Sequence, residues 1–109
     1  MKSLPPTSVR NLDLRLSAQA REDYRDILLY AYNTYGLEQA NTYARGLLDA
    51  MRNLAAYPHI GPGRDTGSQN TRSRVYQSHR ITYRLSNTEI LVVRILHVRR
   101  DPSLLDQSQ

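Results

Sequence analysis

Residues 74–101 read RVYQSHRITYRLSNTEILVVRILHVRRD, and this stretch decides the fold. Apolar and polar residues alternate over 79–86, which is the two-residue period of a β-strand. The pair Asn87-Thr88 interrupts the apolar pattern, and an apolar run resumes over 90–96, so the two segments are predicted to form a hairpin. Together with the residues that precede it, the stretch predicts three strands joined by two tight turns.

The faces of these predicted strands suggest a binding surface. The first strand of the hairpin places its arginines on one face, whereas the second is apolar on both faces, as in a central strand covered on both sides. A surface that mixes arginine with aliphatic side chains suits a desolvated protein interface. The alternative is that a helix of the same chain covers it. The predicted surface consists of Arg80, Arg84, Ile90, Val92, Arg94 and Leu96.

Length and composition limit what the chain can do. A chain of 109 residues fits one domain, and the absence of cysteine excludes disulfides, thiol chemistry and cysteine-ligated zinc. No apolar run approaches a bilayer span and no signal peptide is recognisable, which predicts a cytoplasmic protein without membrane contact. We expect a flexible extension over 1–10, a single domain over 11–105 and a flexible tail over 106–109.

The net charge of +5 lies mostly in the C-terminal half. Residues 1–57 carry a net charge of +1 and residues 58–109 one of +4. Fourteen of the fifteen basic residues are arginine, whose guanidinium group pairs with carboxylates and phosphates in a bidentate manner. The predicted partner is therefore an acidic protein, a nucleic acid or both. Only Tyr76 and Tyr83 could stack bases on the sheet, which gives little support to the binding of single-stranded nucleic acid. Direct nucleic-acid binding stays open.

The N-terminal half predicts a short strand followed by two helices. Leucines at 12, 14 and 16 alternate with polar residues, and Ser17 follows as a helix N-cap. One apolar helical stripe runs to Gly36, a predicted C-cap, and a second runs until Pro58. Residues 59–72 are rich in glycine and predict a loop. The predicted fold class is α+β in the order β-α-α-β-β-β, an N-terminal strand and an antiparallel helical hairpin packed on a small, mostly antiparallel sheet.

The sequence gives little support to a catalytic or metal site. The three histidines lack the spacing of a zinc site, and the acidic residues at 22, 23 and 26 are interpreted as a solvated helix face. We therefore expect no metal, no cofactor and no catalytic residue, and interpret His79 and His97 as structural. Ribonuclease chemistry stays open, because some side chains could neutralise a phosphate and move a proton. These are Arg74, Arg80, Arg94 and His97.

Several segments of the chain resemble the RelE/ParE toxin superfamily, and ParE is the closer match. The resemblance covers roughly residues 11 to 105. The sequence departs from the family at Val98 and Arg100, where the family often has glycine and methionine. The resemblance rests on the order of elements, the helix pattern from Ala20 to Tyr35, the spacing of Leu54, Pro58 and Gly61, the segment SHRITYR at 78–84, and RILH at 94–97 with Arg99 and Asp101.

This resemblance implies the toxin of a type II toxin–antitoxin system that inhibits DNA gyrase and is neutralised by a ParD-like antitoxin. The antitoxin's acidic C-terminal segment would bind the arginine-bearing surface. The alternatives are a RelE-like ribosome-dependent mRNA endonuclease and a non-toxic relative that still binds antitoxin. The antitoxin-binding residues would be Arg74, Arg80, Arg84, Ile90, Val92, Arg94 and Leu96, and the target-binding residues His97, Arg99, Arg100 and Asp101.

Overall fold

The structure is a computed structural model that describes residues 12–58 and 71–100. The predicted N-terminal extension, residues 59–70 of the predicted loop, the predicted C-terminal tail and Asp101 lie outside these residues. No helix in the described part is long and apolar enough to cross a membrane. The elements are β1 (Asp13–Leu16), α1 (Ala18–Tyr35), α2 (Leu37–Ala56), β2 (Thr71–Tyr76), β3 (His79–Leu85), β4 (Glu89–His97) and a 3₁₀ turn (Val98–Arg100).

The predicted α+β fold class is confirmed. The four strands form one sheet in the order β1-β4-β3-β2, in which β2, β3 and β4 are antiparallel neighbours. β1 lies parallel to β4 at the edge and pairs with it only from Asp13 opposite Glu89 to Leu16 opposite Val92. Parallel pairing requires a long crossover connection, which the helices and the rest of the sheet supply. The second half of β4 therefore extends beyond β1.

Helix α1 begins and ends where the sequence predicts. The Ser17 hydroxyl accepts a hydrogen bond from the backbone N–H of Ala20 at 3.0 Å, which satisfies one of the unpaired donors of the first turn. Gly36 follows the last residue of α1 with φ at 95°, a conformation that costs glycine little. Because Gly36 also precedes the first residue of α2, the two helices are joined by a single residue.

The core lies between α2 and one face of the sheet. α2 contributes fully buried Leu47, Met51 and Leu54, and β3 contributes Ile81 and Tyr83. Burying one such aliphatic side chain stabilises the fold by about 1.5–3 kcal/mol. The hydroxyl of Tyr83 donates to the carbonyl of Pro58 at 3.1 Å, so the buried phenol is hydrogen-bonded.

The prediction that Ile90 and Val92 line an accessible surface is wrong. Both side chains are 0% exposed and belong to the core cluster, so the alternative of a helix covering this part of the strand is the one that the structure shows. The reason is a β-bulge: Thr82 pairs with Arg94 but Tyr83 pairs with Val92, which leaves Val93 as an extra residue. An uninterrupted alternation along β4 therefore assigns the wrong face to part of the strand.

Gly46 of α2 lies against the ring of Tyr76. A β-carbon at position 46 would overlap the Tyr76 hydroxyl and lie 2.8 Å from its Cζ atom. Alanine in a helix interior is otherwise about 1 kcal/mol more favourable than glycine. We therefore expect Gly46→Ala to raise the free energy of unfolding by about 1 kcal/mol in a Tyr76→Ala background, and to give no gain in the native background because the ring must move.

Denaturant unfolding of the four proteins in this double-mutant cycle measures the effect. An equal gain from Gly46→Ala with and without the Tyr76 side chain would contradict the close approach of these two residues.

Candidate functional site

The two faces of the sheet carry different chemistry. Residues paired directly across antiparallel strands project from the same face. The pairing of β2 with β3 therefore places Tyr76 on the face that packs on the helices, together with its partner His79, and Val75 on the opposite face, together with Arg80. We call this opposite face the outer face. It carries Thr71, Ser73, Val75, Arg80, Thr82, Arg84, Leu91 and Leu96. Arg94 is paired with Thr82 in the same register, but its guanidinium group binds Asp23 of α1.

Three of the predicted antitoxin-binding residues lie together on the outer face. Arg80 is paired with Leu96, and Arg84 is paired with Leu91, so guanidinium groups alternate with aliphatic side chains. Arg80 Nη1 donates to Ser73 Oγ at 2.8 Å, which orients this guanidinium along the sheet, while Arg84 is exposed. The outer face therefore combines oriented positive charge with apolar area.

The sequence reasoning missed two residues of this face. The predicted surface includes neither Leu91 of β4 nor Arg15 of β1, and both lie on this face. β1 pairs Arg15 with Leu91, and Arg15 Nη1 lies 3.3 Å from Glu89 Oε1 in an exposed ion pair. No local pattern could have revealed this neighbourhood, because it depends on the parallel pairing of β1 with a distant strand.

The prediction that Arg74 joins the arginine-bearing surface is wrong. Arg74 is paired with buried Ile81, so it lies on the helix side of the sheet. Its Nη1 donates to Oδ1 of Asn53 in α2 at 3.1 Å. The prediction failed because β2 begins at Thr71, within the predicted loop, and its register against β3 was unknown.

Arg94 is engaged by α1 through Asp23. Arg94 Nε donates to Asp23 Oδ2 at 2.8 Å and Nη2 donates to Oδ1 at 3.1 Å, a bidentate pair. The Arg94 side chain is 42% exposed and that of Asp23 is 10% exposed. The interpretation of Asp23 as part of a solvated helix face is therefore wrong.

Asp23 also completes the edge of β4. The backbone N–H of Ile95 donates to Asp23 Oδ2 at 2.9 Å, beyond the last residue that pairs with β1. Ser17 acts in the same way one turn earlier, because its N–H donates to Val92 O at 2.9 Å and its hydroxyl to Val93 O at 3.0 Å. Side chains and backbone at the start of α1 thus take the place that a longer β1 would occupy.

A groove of about 1190 Å³ lies between the helical hairpin and the end of β3 and β4. Its lining carries both signs of charge, with Asp26 and Glu38 from the helices and Arg94 and Arg99 from the sheet side. This mixture gives the groove no preference for an anion. Among the described residues, no three histidine or acidic side chains are arranged to bind a metal ion.

His79 lies in this groove as a neutral imidazole. Its Nδ1 atom is 2.7 Å from the Tyr43 hydroxyl, and its ring meets the edge of His97 at a centroid distance of 5.3 Å. Burial, followed by the electrostatic interaction with His97, lowers the pKa of His79 to about 4. A general acid or base acts best when its pKa is near the working pH, so this geometry supports a structural role for His79.

The predicted target-binding residues meet at the end of β4. The backbone N–H of Arg99 donates to His97 Nδ1 at 3.0 Å, which closes the 3₁₀ turn. Both side chains line the groove, and Arg100 is the last described residue. The structure therefore brings His97 and Arg99 together.

Comparison with known proteins shows a match over most of the chain. A family model described as the ParE toxin of type II toxin–antitoxin system, parDE, matches residues 14–102. Toxin ParE1 of Caulobacter vibrioides is 32% identical over 83 residues, which cover 76% of this chain and 85% of that protein. Toxin ParE1 of Mycobacterium tuberculosis is 34% identical over 87 residues, which cover 79% of this chain and 89% of that protein.

Solved structures share the fold. The chromosomal ParDE TA system from P. aeruginosa superposes with a TM-score of 0.68 and 19% identity over 79% of this chain and 95% of that chain. The toxin–antitoxin complex RelBE2 from Mycobacterium tuberculosis superposes with a TM-score of 0.63 and 16% identity over 81% of this chain and 99% of that chain.

Replacing Asp23 by alanine is expected to lower the free energy of unfolding by about 2–4 kcal/mol, because the Ile95 amide loses its acceptor and Arg94 its partner. Asp26→Ala removes an exposed carboxylate from the same helix and is expected to cost under about 0.5 kcal/mol. Chemical denaturation of both variants measures the difference. Equal stability of the two would show that Asp23 does not fasten α1 to β4.

The stability of the protein is expected to fall as the pH decreases from 6.5 to about 4. In this range the unfolded His79 binds a proton that the folded protein excludes, so protonation favours unfolding. A His79→Gln variant should show a shallower loss of Tm over the same range, since this titration is gone. Thermal unfolding from neutral pH down to pH 4 compares the two proteins, and parallel profiles would refute the role of His79.

Proposed function

The chain belongs to the ParE toxin family of type II toxin–antitoxin systems, and on that premise we propose that it inhibits DNA gyrase and is held inactive by a ParD-like antitoxin. A protein with this activity would act in the cytoplasm. The outer face would bind the antitoxin, and the end of β4 would bind the target.

The observation that carries the antitoxin part of the proposal is the alternation of arginine and leucine on the outer face. Between residues 71 and 100 the chain has seven arginines and one acidic residue, Glu89, a net charge of +6. An acidic amphipathic segment would place its carboxylates on Arg80 and Arg84 and its apolar side chains on Leu91 and Leu96. Such a segment gains affinity from both kinds of contact.

The proposed anchors differ from those that the sequence suggests. Arg74 donates to Asn53 and Arg94 to Asp23, so both guanidinium groups already have partners within the chain. An antitoxin that recruited them would have to compete with these bonds. We therefore assign the main charged contact to Arg84, which is exposed on the outer face, with Arg80, held by Ser73, beside it and Arg15, paired with Glu89, at the margin.

The proposed gyrase-directed surface consists of His97, Arg99 and Arg100 at the end of β4. Leu96 lies on the outer face, and the next residue, His97, lines the groove on the other side of the sheet. An antitoxin segment that continued beyond Leu96 and passed around the end of β4 would reach the target-directed residues. This contiguity gives a physical route from antitoxin binding to neutralisation.

A supercoiling assay with purified DNA gyrase tests the target. We expect the antitoxin-free chain to inhibit supercoiling and the cognate antitoxin to restore it. Cleavage of messenger RNA only in the presence of ribosomes, with supercoiling unaffected, would replace the proposal by a RelE-like endonuclease. Antitoxin binding with neither effect would identify a non-toxic relative.

Reversing the charge of Arg84 is expected to weaken antitoxin binding at least about tenfold, because an anchor of the outer face then repels carboxylates. Arg45→Glu makes the same charge change at an exposed position of α2 and serves as the control. Isothermal titration calorimetry with the cognate antitoxin measures both affinities. Equal affinities of the Arg84→Glu and Arg45→Glu variants would remove the outer face as the antitoxin site.

A further inference from the structure

The end of the helical hairpin exposes an apolar surface among the residues that the structure describes. Residues 27–37 read ILLYAYNTYGL and include no charged residue. Single exposed apolar residues are common on protein surfaces, but a contiguous group marks an interaction site. The group, which we call the hairpin surface, consists of Leu29 (53% exposed), Tyr30 (66%), Tyr32 (52%), Tyr35 (61%) and Leu37 (62%).

The hairpin surface is continuous along α1. Leu29, Tyr32 and Tyr35 follow one another at three-residue steps, so they are neighbours on one side of the helix. Leu37 continues the surface across the single-residue junction, and Tyr30 lies at the margin, where it also lines the groove.

The composition of the hairpin surface suits a protein partner. Tyrosine is enriched at the centres of protein interfaces because it buries a large rigid ring and keeps a polar hydroxyl. A nucleic acid would require positive charge, and the helices lack an excess of it. Residues 18–57 carry four arginines and five acidic residues, a net charge of −1.

The distribution of charge favours a second copy of the chain as that partner. Two copies that met through their sheets would bring together two regions of net charge +6, which repel each other. Two copies that met through the hairpin surface would bring together nearly neutral helices and leave both outer faces uncovered.

We propose that two copies of this chain associate through the hairpin surface into a two-fold symmetric dimer. In such a dimer the same residues meet from both sides, so Tyr32, in the middle of the stripe, lies near the axis. From the general size of aromatic side chains, the hairpin surface exposes roughly 600 Å² per copy. A standard protein interface buries about 800 Å² per partner, so the area is of the right order. The inference holds whether or not gyrase is the target.

Sedimentation equilibrium of the full chain, purified free of antitoxin, tests the dimer. We expect the apparent mass to rise from one chain to two with increasing concentration, and Tyr32→Lys to weaken association at least about tenfold. Asn87→Lys adds the same charge at an exposed position between β3 and β4 and should associate like the wild type. A wild-type chain that stays monomeric throughout, or equal weakening by both lysine variants, would overturn the proposal.

Cysteine cross-linking provides a second test that does not depend on the stability of a lysine variant. The chain has no cysteine, so Tyr32→Cys introduces a single thiol at the proposed axis and Asn87→Cys a single thiol away from it. Mild oxidation is expected to link the first variant into dimers and to leave the second mostly monomeric. Equal cross-linking of the two cysteine variants would indicate random collision and overturn the proposal. The proposal would also be overturned if the wild type did not self-associate and Tyr32→Lys lost binding to the antitoxin or to gyrase.

Discussion

The Asp23 carboxylate is the contact on which the arrangement of helices and sheet depends. α1 fully buries only Ala20, Asp23 and Ala31, and its larger apolar side chains Tyr24 and Ile27 pack against the core while partly buried. Asp23 adds three directional bonds to Arg94 and Ile95 at the part of β4 that extends beyond β1. These bonds help to fix the position of α1 although the apolar side chains at its C-terminal end are not buried. The exposed tyrosines and leucines at the end of the hairpin are therefore available for another molecule.

The molecule divides its charge by layer. The helical layer is nearly neutral, whereas the sheet layer between residues 71 and 100 carries a net charge of +6. Arg74 is bound by Asn53 and Arg94 by Asp23, whereas Arg80, which donates to Ser73, and exposed Arg84 lie on the outer face. One small domain of the ParE family thus has one surface suited to an acidic partner and another suited to an apolar one.

Most of the fold could be predicted from local patterns, because the period of each element and its caps are encoded within a few residues. Ser17 and Gly36 bound α1 as expected, and the alternation in β3 places its arginines correctly. The faces of β4 could not be predicted in full, because the bulge at Val93 changes the alternation and no residue near it predicts a bulge. The structure brings the residues of the predicted surface together only in part for the same reason. Arg80, Arg84 and Leu96 lie on one face, but the roles of Asp23 and Arg15 arise from pairings between distant parts of the chain.

The parallel pairing of β1 with β4 also constrains when the protein can assemble. The two strands are the first and last of the sheet along the chain, so β1 has no partner while the ribosome is still synthesising the residues between them. The hydrogen bonds of Ser17 and Asp23 to β4 likewise cannot form until residues 92–95 have been synthesised. The sheet of a nascent chain therefore stays incomplete until β4 has been synthesised, and the N-terminal strand and helices alone cannot form this fold.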